Sequence, residues 1–243
     1  MSGLRIAMWS GPRNISTAMM RAWENRADTK VVDEPLYAYY LATTGIEHPG
    51  RYEILASQTQ DWREVVEELT APVAEGGIYY QKHMTHHITP EIDLDWLDAL
   101  RNVFLIRAPE EVVLSYGRVR GGAAIEELGF LQQARIFDHV VERIDEYPIV
   151  VDARSVLENP EGVLRALCDR LGVAFSAEML RWPAGPRESD GVWAPWWYAA
   201  VEKSTGFQAY RAKSDELGPE QRELARRCRP AYERLAEYAI SAS

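Results

Sequence analysis

Short apolar runs alternate with helical patterns along most of the chain. Four runs are apolar enough to be strands buried on both faces: LRIAMWS from Leu4, TKVVD from Thr29, NVFLIR from Asn102 and PIVVD from Pro148. GIYYQKH from Gly77 is predicted as a fifth strand. Helical patterns lie between the strands at 17–26, 61–74, 109–118 and 123–147. Strands that alternate with helices predict an α/β three-layer sandwich around a mostly parallel central sheet.

Beyond these runs the sequence predicts three further elements. Asn159 and Pro160 begin a helix for which Gly172 is a natural stop. A tryptophan-rich segment at about 181–210 is predicted to be an ordered but irregular lobe, since large aromatic rings favour burial. A charged helix at about 219–239 follows. Because no repeat or linker divides the chain, residues 1–243 are predicted to form a single domain.

Composition and charge narrow the range of partners. The net charge of −10 argues against general affinity for nucleic acid or anionic membranes, so an anionic ligand would need a local basic site. No apolar run approaches the roughly 20 residues needed to span a bilayer, and no signal-peptide pattern opens the chain. With only two cysteines, a disulfide scaffold is excluded. A cytoplasmic protein is expected, and a homo-oligomer is left open.

The loop SGPRNIST follows the first apolar run and opens a helical pattern. A strand that runs into a turn and a helix directs backbone N–H groups and the positive end of the helix dipole at one point. Gly11 permits a close turn, and Arg13 adds a fixed cation. Ser16 and Thr17 can cap the helix and donate hydroxyls. The Gly-x-x-x-x-Gly-Lys-Ser/Thr spacing of nucleotide triphosphatases is missing, and Pro12 removes one N–H donor. The loop predicts a phosphate or sulfate site, against the alternative of an ordinary helix cap with a solvated arginine.

A second candidate anion site lies in the segment NVFLIRAPEEVVLSYGRVR. Arg107 ends a strand, Pro109 suits the first helical position, and Ser115 falls on the helix side from which the strand enters. The carboxyl ends of parallel strands share one edge of a sheet, so this pair can lie beside the first loop. The alternative is a surface ion pair and a serine bonded to its own helix. Together the two sites predict a ligand with two separated anionic groups.

Three segments, in this order, resemble the sulfotransferases that use 3′-phosphoadenosine 5′-phosphosulfate (PAPS): SGPRNISTAMM, RAPEEVVLSY and VVDARSVLENPEGVLRALCDRLGVAF. The resemblance implies a P-loop NTPase-like sulfotransferase fold, with PAPS as co-substrate and no metal. It implies that the 5′-phosphosulfate is held by the first loop: Gly11, Pro12, Arg13, Asn14, Ile15, Ser16 and Thr17. Arg107 and Ser115 would hold the 3′-phosphate. The loop departs from the family pattern, because Arg-Asn-Ile-Ser-Thr replaces Lys/Arg-Ser-Gly-Thr-Thr.

Sulfuryl transfer needs a base for the acceptor proton and cations near the leaving phosphate. Glu34 follows the second strand and precedes a proline, as does the glutamate base in bacterial and carbohydrate-directed branches of the family. The segment YYQKHMTHHI resembles the Lys-x-His stretch of cytosolic members, which implies Lys82 at the transferring group and His83 as an alternative base. A metal site from His83, His86 and His87 is a further alternative.

The hypothesis from sequence is a sulfotransferase that moves a sulfuryl group from PAPS to a hydroxyl or amine of a small-molecule acceptor. The run KVVDE also matches the end of a kinase strand, so the nearest alternative is a kinase that uses ATP and binds Mg²⁺ through Asp33. A non-catalytic nucleotide-binding protein is the alternative from another class.

Overall fold

Five parallel strands form the centre of the computed structural model, which describes residues 3–120, 124–212 and 216–241. The strands are β1 (Leu4–Ser10), β2 (Thr29–Asp33), β3 (Ile78–Met84), β4 (Arg101–Ile106) and β5 (Ile149–Asp152). They lie in the order β2-β3-β1-β4-β5, and every neighbouring pair is parallel. The predicted α/β fold class is confirmed, and all five predicted strands are present.

Ten α-helices are described: α1 (Ser16–Glu24), α2 (Tyr37–Thr44), α3 (Arg51–Ser57), α4 (Trp62–Thr70), α5 (Pro109–Arg120), α6 (Phe130–Arg143), α7 (Ala153–Glu158), α8 (Pro160–Leu171), α9 (Ala194–Trp197) and α10 (Pro219–Ala236). The Asn159 carboxamide caps α8 by accepting from the Gly162 N–H, and Gly172 ends the helix in the left-handed conformation, as the sequence predicts. Short 3₁₀ turns cover 85–87, 95–99, 125–128 and 177–180. No helix within the described ranges is both long and apolar enough to cross a membrane.

The strand side chains supply two apolar clusters, one on each face of the sheet. Ile6 and Met8 of β1 face α1 and α8, whereas Ala7 and Trp9 face α4, α6 and α10. Successive residues of a strand point to opposite faces, so a strand that is apolar throughout needs helices on both sides. This accounts for the three layers.

The predicted helix over 123–147 is wrong at its start, although residue 123 lies outside the described ranges. A 3₁₀ turn covers Ile125–Leu128, and Gly129 then breaks the chain direction with φ of 74° before α6 begins. A Cβ on Gly129 would lie 2.5 Å from Thr85 Oγ1. A Cβ on Gly11 would lie 2.6 Å from the Leu128 carbonyl oxygen. The two glycines therefore let this turn pack directly against the first loop.

The tryptophan-rich segment is anchored to α1 and the end of β2. Trp182 and Trp193 are buried, and Arg181 and Gly206 form an isolated antiparallel bridge. A buried guanidinium on α1, that of Arg21, lies 2.6 Å from the Asp190 carboxylate of the segment. Among its described residues the segment contains one short helix, α9, between irregular stretches. That the chain forms a single domain stays a prediction.

Candidate active site

A cavity of about 350 Å³ opens at the carboxyl ends of the central strands. Its wall is formed by the loop after β1, the residue after β2, the end of β3, helix α5 and the tryptophan-rich segment. The residues that line it include Pro12, Arg13, Asn14, Ile15, Ser16, Thr17, Glu34, Tyr37, Tyr40, His48, Lys82, His86, His87, Arg107, Ser115, Trp197 and Tyr198. Ligands in parallel α/β sheets bind at this edge, where loops and helix N-termini converge.

The first loop presents six of its seven predicted residues to the cavity. Gly11 is the exception, since it packs against the 3₁₀ turn before α6. The Asn14 carboxamide fixes the loop by donating to the Leu105 carbonyl and accepting from the Ile15 N–H. The prediction that Ser16 caps the helix is wrong, because α1 begins at Ser16 itself, its N-cap is Ile15, and no side chain of the described residues caps it. The N-terminus of α1 thus faces the cavity without a side-chain acceptor.

The two predicted anion sites adjoin one another. Arg13 Nε donates to Ser115 Oγ at 3.1 Å, and one terminal nitrogen of Arg107 donates to the Arg13 carbonyl at 2.9 Å. The rest of the Arg107 guanidinium is held by Glu111, one helical turn along α5. Burial and the nearby charge of Arg107 lower the pKa of Arg13. Two guanidinium groups therefore lie side by side at the cavity wall, where an anion would relieve their repulsion.

Lys82 is the centre of a buried polar cluster. Its ammonium donates to Asp33 Oδ1 at 2.8 Å, to Glu34 Oε1 at 2.7 Å and to the Tyr198 hydroxyl at 2.6 Å. β2 and β3 are paired so that Asp33 lies opposite Lys82, which explains the first of these contacts. Burial alone would lower the pKa of Lys82, but the carboxylates of Asp33 and Glu34 outweigh it and hold that pKa well above its ordinary value. The lysine is therefore a fixed cation.

Glu34 follows β2 at the floor of the cavity in an unusual backbone conformation. Its φ is 40°, although the residue before a proline normally adopts extended dihedrals. Such strain costs on the order of 1–3 kcal/mol and is concentrated at functional sites. The turn is held by its carbonyl, which accepts from the Tyr37 N–H and from Gln58 Nε2. Burial has the largest influence on the pKa of the Glu34 carboxyl and raises it. The Lys82 ammonium lowers this pKa and the Asp33 carboxylate raises it. The resulting pKa lies above that of an ordinary glutamate.

His83 lies on the opposite face of β3 from Lys82 and does not line the cavity. Its ring stacks on Trp9 with centroids 4.3 Å apart, inside the apolar cluster beneath α4 and α6. Burial lowers the pKa of His83 to about 3. The alternative of His83 as base is therefore wrong, because strand alternation turns it into the core. For the same reason His83, His86 and His87 do not converge as a metal site.

An aromatic wall that the sequence did not predict lines the cavity beside Glu34. Tyr37 and Tyr40 of α2 stack on the two sides of His87, with ring centroids 4.6 and 4.8 Å away. The Tyr37 hydroxyl lies 2.7 Å from His48 Nδ1, and His48 also lines the cavity. The three-residue spacing of Tyr37 and Tyr40 was a usable signal for one helix face. The contact of Tyr198 with Asp33, 165 positions away in sequence, had no local signal.

A parallel sheet whose central strand runs through a turn into a helix N-terminus, with a buried Glu-Lys pair at the same edge, defines a P-loop-like α/β protein. Residues 4–236 match a family model described as a sulfotransferase domain, so the chain belongs to the sulfotransferase family. The crystal structure of a sulfotransferase from Alicyclobacillus acidocaldarius supports the fold. It is 11% identical, with a TM-score of 0.55, and the alignment covers 98% of this chain and 96% of that one.

Two curated relatives from Arabidopsis thaliana are similar in sequence. Branched-chain-amino-acid aminotransferase-like proteins 1 and 2 are 34% and 32% identical, over 98% and 93% of this chain. The matches cover 42% and 40% of the relatives themselves, so the chain spans about two fifths of their length. Their names describe the longer proteins, and nothing in those names refers to sulfuryl transfer.

Proposed function

We propose that the chain transfers a sulfuryl group from PAPS to a hydroxyl or amine of a small-molecule acceptor. The observation that carries the proposal is that the first loop, the Arg107–Ser115 pair and the Glu34–Lys82 pair all face one cavity. The first two groups suit a donor with two anionic ends, and the third suits proton removal next to a cation. The family membership of the chain supports the same reaction class.

On the donor side, Arg13 and the N-terminus of α1 would bind the 5′-phosphosulfate. Arg107 and Ser115 would bind the 3′-phosphate. A charge of −10 on the whole chain makes these local cations necessary for any polyanionic ligand. Because Glu111 and the Arg13 carbonyl already orient the Arg107 guanidinium, little side-chain entropy remains to be lost on binding.

In the transfer step, the acceptor oxygen or nitrogen attacks the sulfur as the bond from sulfur to the 5′-phosphate oxygen breaks. The electron pair of that bond stays on the phosphate oxygen, where Arg13 and Lys82 stabilise the charge. The acceptor proton passes to the Glu34 carboxylate. A raised pKa makes this carboxylate a stronger base than an exposed glutamate. The products are the sulfated acceptor and 3′,5′-adenosine bisphosphate.

The contacts of Asp33 argue against the kinase alternative. Asp33 is buried; Oδ1 accepts from Lys82, and Oδ2 accepts from the Tyr198 hydroxyl and the Gly191 N–H. A magnesium ion at this carboxylate would displace these donors and lie beside the Lys82 ammonium, which it would repel. Asp33 therefore suits a structural anchor for Lys82 better than a metal ligand.

The proposal is tested by calorimetric binding of 3′,5′-adenosine bisphosphate, beside ADP and ATP with and without Mg²⁺. We expect binding of the bisphosphate in preference to the other nucleotides. Arg107→Ala should weaken it by about 2 kcal/mol, or roughly 30-fold in Kd, because a charge-assisted contact is lost and Glu111 loses its counter-charge beside the phosphate.

Arg226→Ala is the matched control, since it removes the same charge from an exposed position on α10. It should leave the Kd unchanged. Preference for ATP with Mg²⁺ would replace the proposal with the kinase. Bisphosphate binding without PAPS turnover on a broad panel of alcohols, phenols and amines would favour the non-catalytic binder.

A further inference from the structure

Tyr198 is the side chain by which the tryptophan-rich segment contacts Lys82, and the backbone N–H of Gly191 from the same segment donates to Asp33. Its hydroxyl donates to Asp33 Oδ2 at 2.6 Å and accepts from Lys82 Nζ at 2.6 Å and from Trp193 Nε1 at 3.1 Å. A phenol has one donor and two acceptor positions, so all its hydrogen-bonding capacity is used. The group is satisfied by protein alone and is held in a single orientation.

The ring of Tyr198 is as constrained as its hydroxyl. It is 4% exposed and packs in a third apolar cluster with Tyr37, Tyr40 and Trp193. The Lys82 ammonium lies 4.9 Å from the ring centroid, on the hydroxyl side of the ring. The tyrosine therefore acts on Lys82 through its hydroxyl.

The ammonium of Lys82 has three N–H donors and three acceptors in the structure. Asp33 does not line the cavity, and the Tyr198 hydroxyl is tied to Asp33 and Trp193. Glu34, by contrast, lines the cavity and has its second carboxylate oxygen 4.0 Å from His87 Nε2. The N–H bonded to Glu34 is therefore the one that an incoming ligand can share without breaking the buried part of the cluster.

We propose that Tyr198 is a positioning residue, which with Asp33 fixes two N–H groups of Lys82 so that the third is divided between Glu34 and the transferring group. This inference rests on the proposed sulfuryl transfer. The tryptophan-rich segment would then take part in the reaction through Tyr198, which follows α9. The phenol of Tyr198 keeps Lys82 from pairing fully with Glu34.

Tyr198→Phe is the test, since it removes only the hydroxyl. Lys82 then retains Asp33 and Glu34 and turns more strongly toward Glu34. We expect kcat to fall roughly tenfold or more, because the carboxylate becomes a weaker base, while the KM for PAPS changes little. The Kd for 3′,5′-adenosine bisphosphate should also be unchanged, which shows on the same sample that the variant is folded.

The pH profile separates positioning from a general loss of structure. The titratable groups that face Glu34 are Asp33 on β2, Lys82 on β3, His87 after β3, and Tyr198 itself. When Lys82 moves toward Glu34, the pKa of that glutamate falls, so the acidic limb of kcat should move to lower pH in the variant. A merely loosened structure would reduce kcat at every pH and leave that limb in place.

Tyr80→Phe is the matched control. Tyr80 lies on β3, two residues before Lys82, is fully buried, and its hydroxyl has no hydrogen-bond partner among the described residues. Tyr80→Phe also removes one phenol oxygen, here from the face of β3 that carries Lys82. The kcat and its pH profile should not change.

Unchanged kcat in Tyr198→Phe, or a reduced kcat with an unmoved acidic limb, would overturn the positioning role while leaving the transferase proposal intact. If the wild-type chain neither binds the bisphosphate nor forms it from PAPS, the proposed function fails instead. The two failures are therefore distinguishable.

Discussion

The two faces of β3 place neighbouring side chains in opposite electrostatic surroundings. Lys82 and His83 are adjacent in sequence, and both are buried. Lys82 is surrounded by two carboxylates and a phenol, and its pKa is held high. His83 is surrounded by aromatic rings and the Gln81 carboxamide, and burial lowers its pKa to about 3.

The comparison teaches that burial does not decide the charge of a group by itself. Burial disfavours the charged form of both side chains, and only the partners differ. Lys82 is charged because Asp33 and Glu34 repay the cost of removing it from water. His83 is neutral because no carboxylate among the described residues faces it, so it serves as an aromatic core residue.

The largest effect is expected when the charged face loses its cation. Lys82→Met leaves the carboxylates of Asp33 and Glu34 buried side by side without a counter-charge. The free energy of unfolding at pH 7 should fall by about 3–5 kcal/mol, measured by denaturant titration. The deficit should shrink as the pH is lowered, because protonation removes the repulsion.

Lys30→Met provides the comparison, because Lys30 is an exposed lysine on the neighbouring strand β2. It should change stability by no more than about 0.5 kcal/mol. Equal stability of the two variants would mean that the ion cluster is not what holds this face of the sheet together.

Loss of the proposed base should have the next largest effect, and on activity rather than on folding. Glu34→Gln keeps the shape of the side chain but cannot accept the acceptor proton. The transfer rate should fall by about 10²–10⁴-fold, while binding of 3′,5′-adenosine bisphosphate is retained. In the wild type, the rate should rise with pH through a pKa above that of an ordinary glutamate, since the carboxylate must be ionised to act. A variant with undiminished turnover would move the base to another residue of the cavity.

The smallest effect on activity is expected from a substitution on the apolar face of β3. The quantity to measure there is the free energy of unfolding as a function of pH. His83→Gln should retain its transfer rate at neutral pH. The His83 imidazole is protonated near pH 6.5 in the unfolded chain and near pH 3 in the folded one. Between these pH values the unfolded state therefore binds more protons. The stabilising contribution of neutral His83 is therefore complete above pH 6.5 and is lost as the pH falls.

Between about pH 6 and 4, replacing His83 should lower the slope of unfolding free energy against pH by up to about 1.4 kcal/mol per unit. His87, whose pKa burial also lowers, keeps part of the slope in the variant. An unchanged slope would contradict the assignment of His83 as a buried neutral side chain. A large loss of transfer rate would return it to the list of catalytic candidates.

The strands and most helices follow from local patterns in this sequence, whereas the order of the strands within the sheet does not. The boundary error at 123–147 has a local cause that was visible, since Gly129 interrupts the helical pattern. The local pattern does not explain why a glycine is needed at position 129. The explanation is the close approach of Gly129 to Thr85 and of Leu128 to Gly11. Such close approaches depend on how separate elements pack.

The sequence by itself determined the fold class and singled out the two segments that meet at the cavity, because hydrophobic periodicity, turn residues and fixed cations are local properties. Only the tertiary structure decided which neighbour in the pair Lys82 and His83 enters the cavity, and that Tyr198 joins it there. Strand direction and register set the first, since one residue of shift would exchange the faces. The second depends on the path of a long irregular segment, for which no periodicity exists to be read.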